Sequence, residues 1–201
     1  MQLCIIDTGS ANLNSVAQAL RRLGETPVIS SDLKDLEQAD KLVLPGVGTA
    51  SAVMGGVLKY GLRDFILHTH KPLLGICLGM QILGQSSEEV PLGSAEKLIP
   101  CLGLVSGKVK LFRCSEHLPH MGWNTVKHTG HPLFEGIRQE AYFYFDHSYA
   151  LELGDYTIGE SEYGERFTSA LAAGTFMGVQ FHPEKSGAVG ARLLENFLHN
   201  F

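Results

Sequence analysis

The sequence has no uninterrupted apolar run of about 18 residues, the length a membrane-spanning helix requires. It also has no basic start leading through an apolar stretch to a small-residue cleavage site. The expected address is therefore the cytoplasm. Basic charge is scarce: 16 Lys and Arg against 21 Asp and Glu give a net charge of −5. Nucleic acid and anionic membrane both need a basic footprint, so neither is expected as the main partner. The one adjacent basic pair, Arg21-Arg22, reads as a solvated helix face. Cysteine is sparse as well. Cys4, Cys77, Cys101 and Cys114 do not make a disulfide framework in 201 residues, and reduced thiols are expected. No G-x-x-x-x-G-K-[ST] occurs, which removes a nucleoside-triphosphate loop of that kind. There is no internal repeat, low-complexity tract or linker, so residues 1–201 are read as one domain.

Glycine is plentiful, with 23 residues, and strand-like and helix-like stretches alternate through the first half. Strands are expected at Gln2–Asp7, Pro27–Ser30, Lys41–Leu44 and Pro72–Cys77. Helices are expected at Asn12–Leu23, from about Ala50 to His68, and opening at Met80–Gln85. This alternation predicts a three-layer α/β fold, with a mostly parallel central sheet covered by helices on both faces. The second half is β-rich, at Leu102–Phe112, Trp123–Lys127, Ala141–Leu151, Tyr156–Tyr163, Ser169–Phe176 and Gly178–Phe181. It reads as an antiparallel β addition, followed by a last helix at Val189–His199. Ligands of such sheets sit beyond the carboxyl ends of the parallel strands, where Asp7, the Pro45–Gly48 turn and Cys77 fall.

Gly75-Ile76-Cys77-Leu78-Gly79 is the thiol form of the strand-to-helix nucleophile elbow, G-x-C-x-G. Its glycines would let the backbone turn sharply and project the side chain into a cleft. The helix that follows brings its N-terminal dipole to the sulfur, which favours thiolate. The N–H of Leu78 would then meet a tetrahedral oxyanion. A buried structural thiol is the plain alternative, and it is the reading for Cys4, Cys101 and Cys114. A nucleophilic thiol needs a base, and His182 in Gln180-Phe181-His182-Pro183-Glu184 is the best placed of nine histidines. Glu184 stands two residues on, where it can hold one imidazole nitrogen while the other faces the thiol. Pro45-Gly46-Val47-Gly48 supplies a second candidate oxyanion donor from a Gly-flanked turn, at Val47 or Gly48. It is not a dinucleotide fingerprint, because the third glycine is missing. Cys114, His117 and His120 have ligand-like spacing but no evident fourth ligand, so no metal is expected.

GICLGMQ, PGVG and QFHPE, in this order and with these gaps, resemble the class I (triad) glutamine amidotransferases. PGVG, His120-Met121-Gly122-Trp123-Asn124, Phe145-Asp146-His147-Ser148-Tyr149 and the opening Ile6–Leu13 are similar to one branch, the glutaminase subunits of imidazole glycerol phosphate synthase. The resemblance covers essentially the whole chain. It implies a Cys77, His182, Glu184 triad that hydrolyses glutamine through a thioester, with oxyanion donors at Leu78, Val47 and Gly48. Gly46, Gln81, His147, Ser148 and Tyr149 would grip the glutamine. It implies no cofactor. It does imply a (β/α)8-barrel cyclase partner in a heterodimer, fed with ammonia through a channel, with Asn12, Met121, Trp123 and Lys185 at the interface. Trp123 as plain core, and Lys185 as a solvated cation, are the competing readings. Three residues depart from the family pattern: Thr8 and Ala11 in the opening turn, and Asp146, a carboxylate in an otherwise aromatic strand. A stand-alone γ-glutamyl hydrolase or cysteine peptidase on the same fold is the alternative function, and a non-catalytic module with a relict site the third.

Overall fold

Strand β1 (Leu3–Ile6) is buried along its whole length, and its alternate side chains feed two separate cores. Leu3 and Ile5 join the cluster that includes Val16 and Leu20, whereas Cys4 and Ile6 join the one that includes Leu36 and Val53. A strand covered on both faces reads as a continuous apolar run, which is why LCII shows no alternation. The structure is a computed structural model describing residues 1–9, 12–114 and 116–201. Ala11, one of the departures noted above, lies outside the described residues.

The first half continues with α1 (Leu13–Arg22), β2 (Val28–Ser30), α2 (Leu33–Gln38), β3 (Lys41–Gly46), α3 (Ala50–Lys59), α4 (Leu62–His68), β4 (Leu73–Cys77) and α5 (Leu78–Gln81). The second half holds β5 (Ser86–Ser87), β6 (Ile99–Pro100), β7 (Lys108–Leu111), β8 (His120–His128), β9 (Ala141–His147), β10 (Tyr149–Leu151), β11 (Thr157–Tyr163), β12 (Glu165–Ala173), β13 (Phe176–Val179) and α6 (Gly187–Asn200). Strands β2, β1, β3, β4 and β13 lie side by side and pair in parallel. From β13 the sheet continues through antiparallel β12 and β10, while β11, β8 and β9 form the added antiparallel part. This is the three-layer α/β architecture that the alternation of apolar segments predicts.

Several boundaries differ from expectation, each for a local reason. The stretch from Ala50 to His68 is two helices, broken where Gly61 adopts φ 67°. Helix α2, capped by Asp32, is too short for its periodicity to stand out. The helix expected at Met80–Gln85 starts at Leu78 and is a single turn. The backbone N–H groups of Leu102, Gly103 and Leu104 donate to the carbonyls of Ile82, Gly84 and Leu83 at 2.7–2.8 Å. Those donors are thereby withdrawn from any ladder, so only Lys108–Leu111 of the expected Leu102–Phe112 strand forms. Ala141–Leu151 splits at Ser148 into β9 and β10. The boundary between the last two strands falls at Gly174, whose φ of 60° makes the β12–β13 turn.

Candidate active site

Three parallel strand ends meet at one place. Gly46 of β3 pairs with Cys77 of β4, and Val179 of β13 pairs with Ile76. The chain beyond β13 therefore carries Gln180, Phe181 and His182 past the sulfur. In an extended chain residues two apart share a face. Phe181 faces away and stacks on Phe143 with ring centroids 4.0 Å apart, while Gln180 and His182 are both directed to Cys77.

The sharp turn is made by the cysteine itself. Cys77 has φ 54° and ψ −112°, a conformation that costs a non-glycine residue about 1–3 kcal/mol. Gly75 and Gly79 do not have positive φ, which corrects the expectation that they supply the bend. They are required by close approach instead. A Cβ on Gly79 would lie 1.7 Å from the Leu44 carbonyl oxygen, and one on Gly75 would lie 2.7 Å from the Gly79 carbonyl oxygen. Helix α5 is thus pressed onto β3 and β4 and holds the strained residue in place.

His182 is buried, and its Nδ1 lies 2.8 Å from Glu184 Oε1. The other ring nitrogen is left for Cys77. Burial pulls the imidazole's pKa down, but hydrogen bonds to Cys77 and to Glu184, with the charges of both, outweigh it and lift the value to about 10. A ring that holds its proton beside the sulfur can pass it to a leaving group. The sulfur itself lies 3.7 Å from Gln180 Nε2 and 3.9 Å from the Asp146 carbonyl oxygen.

A cavity of about 280 Å³ opens over these groups, a volume suited to an amino acid. Val47, Gly48, Cys77, Leu78, Gln81, His147, Ser148, Tyr149, His182 and Lys185 line it. Gly46 sits behind it in β3, and Glu184 behind His182. Two of the expected glutamine contacts are constrained by internal bonds. His147 Nδ1–H donates to the Tyr149 carbonyl at 2.8 Å, so its Nε2 must accept, and it takes the Nδ1–H of His120 at 3.1 Å. Neither ring nitrogen of His147 is left for a ligand, so the expected contact of this residue with glutamine does not come from its imidazole nitrogens. Gln81 Nε2 donates to the Tyr149 carbonyl at 2.7 Å and to Gln180 Oε1 at 2.9 Å. Only Gln81 Oε1 remains, buried and without a hydrogen-bond partner among the described residues.

His120 points into the aromatic cluster, stacked on Phe145 and Tyr163, with Asn124 Nδ2 at 3.3 Å from its Nε2. That accounts for the one histidine of the metal-like trio that is buried. Burial lowers His120 to about 4; burial, together with the charges of His120 and His182, lowers His147 to about 3 against its hydrogen bond to Tyr149. Both rings are neutral at pH 7.

Three wall residues, Glu89, Pro119 and Asp146, were absent from the expected site. Glu89 accepts the Ala50 N–H at 2.7 Å at the start of α3, and burial pushes its carboxyl pKa up. It follows β5 in an irregular stretch without periodicity, so nothing in the sequence marks it. Asp146 does not enter the aromatic core: β9 alternates, burying Phe143, Phe145 and His147, and leaves Asp146 on the cavity rim 4.0 Å from Lys185.

Of the expected interface residues, Met121 is 60% exposed and Trp123 55% exposed, two apart on one face of β8. Trp123 is therefore not core. Lys185 Nζ sits 5.4 Å above the Tyr144 ring, and Tyr144 pairs with Trp123 across the strands, so these residues share one face. Asn12 caps α1 by accepting from Ser15 N at 3.4 Å, at the end of the helix that packs on the 3₁₀ turn Pro183–Lys185. Thr8 is buried, with its carbonyl against Gly56 of α3. Among the described residues, no helix is long and apolar enough to cross a membrane.

Residues 4–201 match the family model "Glutamine amidotransferase class-I". The chain is 54% identical over 196 residues, 96% of each chain, to imidazole glycerol phosphate synthase subunit HisH of Vibrio cholerae serotype O1. It is 51% identical to the subunit of the same name from Photorhabdus laumondii, over 98% of this chain and 99% of that one. Among solved structures, one described as glutamine amidotransferase superposes with a TM-score of 0.74 at 20% identity, covering 98% of this chain and 97% of that one. A glutamine amidotransferase from Thermotoga maritima gives 0.62 at 18% identity, covering 100% and 83%. These structural likenesses bear on the fold alone; the sequence matches carry the assignment. The chain belongs to the class-I glutamine amidotransferase family.

Proposed function

We propose that this chain is the glutaminase subunit of an imidazole glycerol phosphate synthase, working as one domain in the cytoplasm beside a (β/α)8-barrel cyclase. The Cys77 thiolate attacks the side-chain amide carbon of glutamine. The oxyanion is met by the N–H of Leu78 and by one from Val47 or Gly48, each such donor being worth about 3 kcal/mol. His182 gives its proton to the departing ammonia, and Glu184 holds the ring by Nδ1. Water, deprotonated by the same His182, then hydrolyses the glutamyl thioester, so glutamine and water become glutamate and ammonia.

The observation that carries this reading is the hydrogen-bonded His182–Glu184 pair beside a strained, glycine-cradled Cys77 in one cavity. Gln81 Oε1, Glu89 and the Gly46–Gly48 and Ser148–Tyr149 segments suit the polar end of glutamine, with the Glu89 carboxylate matched to the α-ammonium. Met121, Trp123, Lys185 and Asn12 form the face for the barrel protein, which receives ammonia for making imidazole glycerol phosphate and an aminoimidazole carboxamide ribonucleotide. The four free cysteines suit a reducing compartment. No observation favours a stand-alone γ-glutamyl hydrolase or peptidase. The test is glutamine turnover with and without the cyclase and its nucleotide ligand: stimulation is expected, and equal rates would remove the coupling.

A further inference from the structure

We propose that Gln180 is a positioning residue for the nucleophile: its side-chain amide holds the Cys77 sulfur alongside His182 and, through Gln81, ties that sulfur to the Tyr149 carbonyl. The inference rests on the glutaminase reading for its meaning, but on geometry for its content. The Tyr149 carbonyl can only accept, so the end of Gln81 that meets it at 2.7 Å is the NH₂. The second hydrogen of that NH₂ needs an acceptor, and Gln180 presents Oε1 to it at 2.9 Å. The remaining end of Gln180 must then be its NH₂, which faces Cys77 Sγ at 3.7 Å. One backbone carbonyl thus fixes the orientation of two buried amides and aims an N–H at the sulfur. Both side chains are almost fully buried, at 2% for Gln81 and 0% for Gln180. Neither amide can turn without stranding a donor.

A sulfur that accepts from Gln180 is favoured as thiolate, since a hydrogen bond to the charged form favours that form. The Asp146 carbonyl, 3.9 Å from the sulfur, can only take a hydrogen from the thiol, so it favours the neutral form that the Gln180 bond opposes. The charged and titratable groups around the sulfur are His182, Glu184, Lys185, Asp146, His147 and Glu89, and none of them is changed by substituting position 180. Gln180 stands two residues before His182, so the short segment Gln180–His182 brings both donors to Cys77.

The test is the pH dependence of Cys77 alkylation by iodoacetamide, followed by mass spectrometry in a Cys114→Ser background. Burial holds the Cys4 and Cys101 thiols up at about 11, and peptide mapping separates any adduct on them from the one at Cys77. In Gln180→Met, which keeps volume but loses the donor, the midpoint should rise by about one pH unit, so alkylation below it slows about tenfold. Gln180→Leu should do the same and stands in where the first variant does not fold. A folded variant of either kind with an unchanged midpoint overturns the proposal. Glutamine turnover of the unsubstituted protein is read in parallel. No turnover with the cyclase present, while the midpoint still shifts, would sink the glutaminase reading and leave the hydrogen bond standing. Normal turnover with no shift would do the reverse.

Discussion

Lowering the pH from 7 to 5 should destabilise this protein through two histidines that take no part in the proposed proton transfers. In the unfolded chain His120 and His147 titrate at about 6.5, whereas in the fold they are held near 4 and near 3. A folded-state value depressed below the unfolded one gives stability that is fully present above 6.5 and is lost as pH falls towards the folded value. At pH 5 an unfolded imidazole is about 97% protonated while the buried one is still neutral, which costs about 2 kcal/mol per ring. At pH 7 the same difference is only a few tenths of a kcal/mol. Because pH 5 lies above both folded values, the result depends only on the rings remaining neutral. His182 acts in the opposite sense. Its value is raised to about 10, so its contribution is fully present below 6.5 and is lost as pH rises through the folded value. Between pH 7 and 5 it returns about 1 kcal/mol, leaving a net loss of about 3 kcal/mol.

The assay is urea denaturation followed by far-ultraviolet circular dichroism at pH 7, 6 and 5. Tryptophan emission is a poor probe because Trp123 is already 55% exposed in the fold. His120→Gln will lower stability at pH 7, since His147 Nε2 and Asn124 lose a shared partner. The informative quantity is the difference between pH 7 and pH 5, which should shrink by about 2 kcal/mol in the variant. Equal falls in both proteins would mean that the buried ring titrates as though exposed, and the neutral pair would be refuted.

Glu184→Gln should keep the fold but lower glutaminase kcat by about 10³-fold or more, because the imidazolium loses its carboxylate; a kcat within tenfold of the unsubstituted value would remove Glu184 from the triad. Gly79→Ala must move backbone, with its Cβ 1.7 Å from the Leu44 carbonyl oxygen, and should cost about 3 kcal/mol or more in urea denaturation; a change under about 0.5 kcal/mol would show that α5 is not pressed onto β3. Trp123→Ala combined with Met121→Ala should leave the thermal midpoint nearly unchanged, as both side chains are more than half exposed, yet weaken cyclase binding by about 30-fold or more in calorimetry. Unaltered affinity would move the interface elsewhere.

What was legible in the sequence is what short-range pattern carries. A strand buried on both faces announces itself as an apolar run, although only the structure shows that Leu3 and Ile5 enter one core and Cys4 and Ile6 the other. The elbow is equally local: five residues, Gly75–Gly79, fix both the strained cysteine and the small side chains around it. The motif suggests glycines needed for φ, whereas they are needed for clearance, a distinction that a sequence does not show. The irregular elements were not legible. Residues 102–107 look like a strand by composition, but the N–H groups of residues 102–105 are taken by carbonyls of residues 82–84, a pairing set by the tertiary fold. Glu89 was invisible for the same reason: its role comes from Ala50, thirty-nine positions away.

The polar interior shows most clearly where local reading stops. The Tyr149 carbonyl accepts from His147 and from Gln81, so a single backbone oxygen dictates the tautomer of one side chain and the rotation of the other. From His147 the bonds run outward through His120 to Asn124 on β8; from Gln81 they run inward through Gln180 to the sulfur. Each member needs its neighbour in one orientation only, so the strand that carries Met121 and Trp123 is joined to the nucleophile by buried donors and acceptors. A pattern search finds Asn124, His147, Gln81 and Gln180 in four separate motifs. Their meaning as one connected set follows from the break at Ser148, which parts β9 from β10, and from the Tyr149 carbonyl just beyond it, which meets both amide and imidazole.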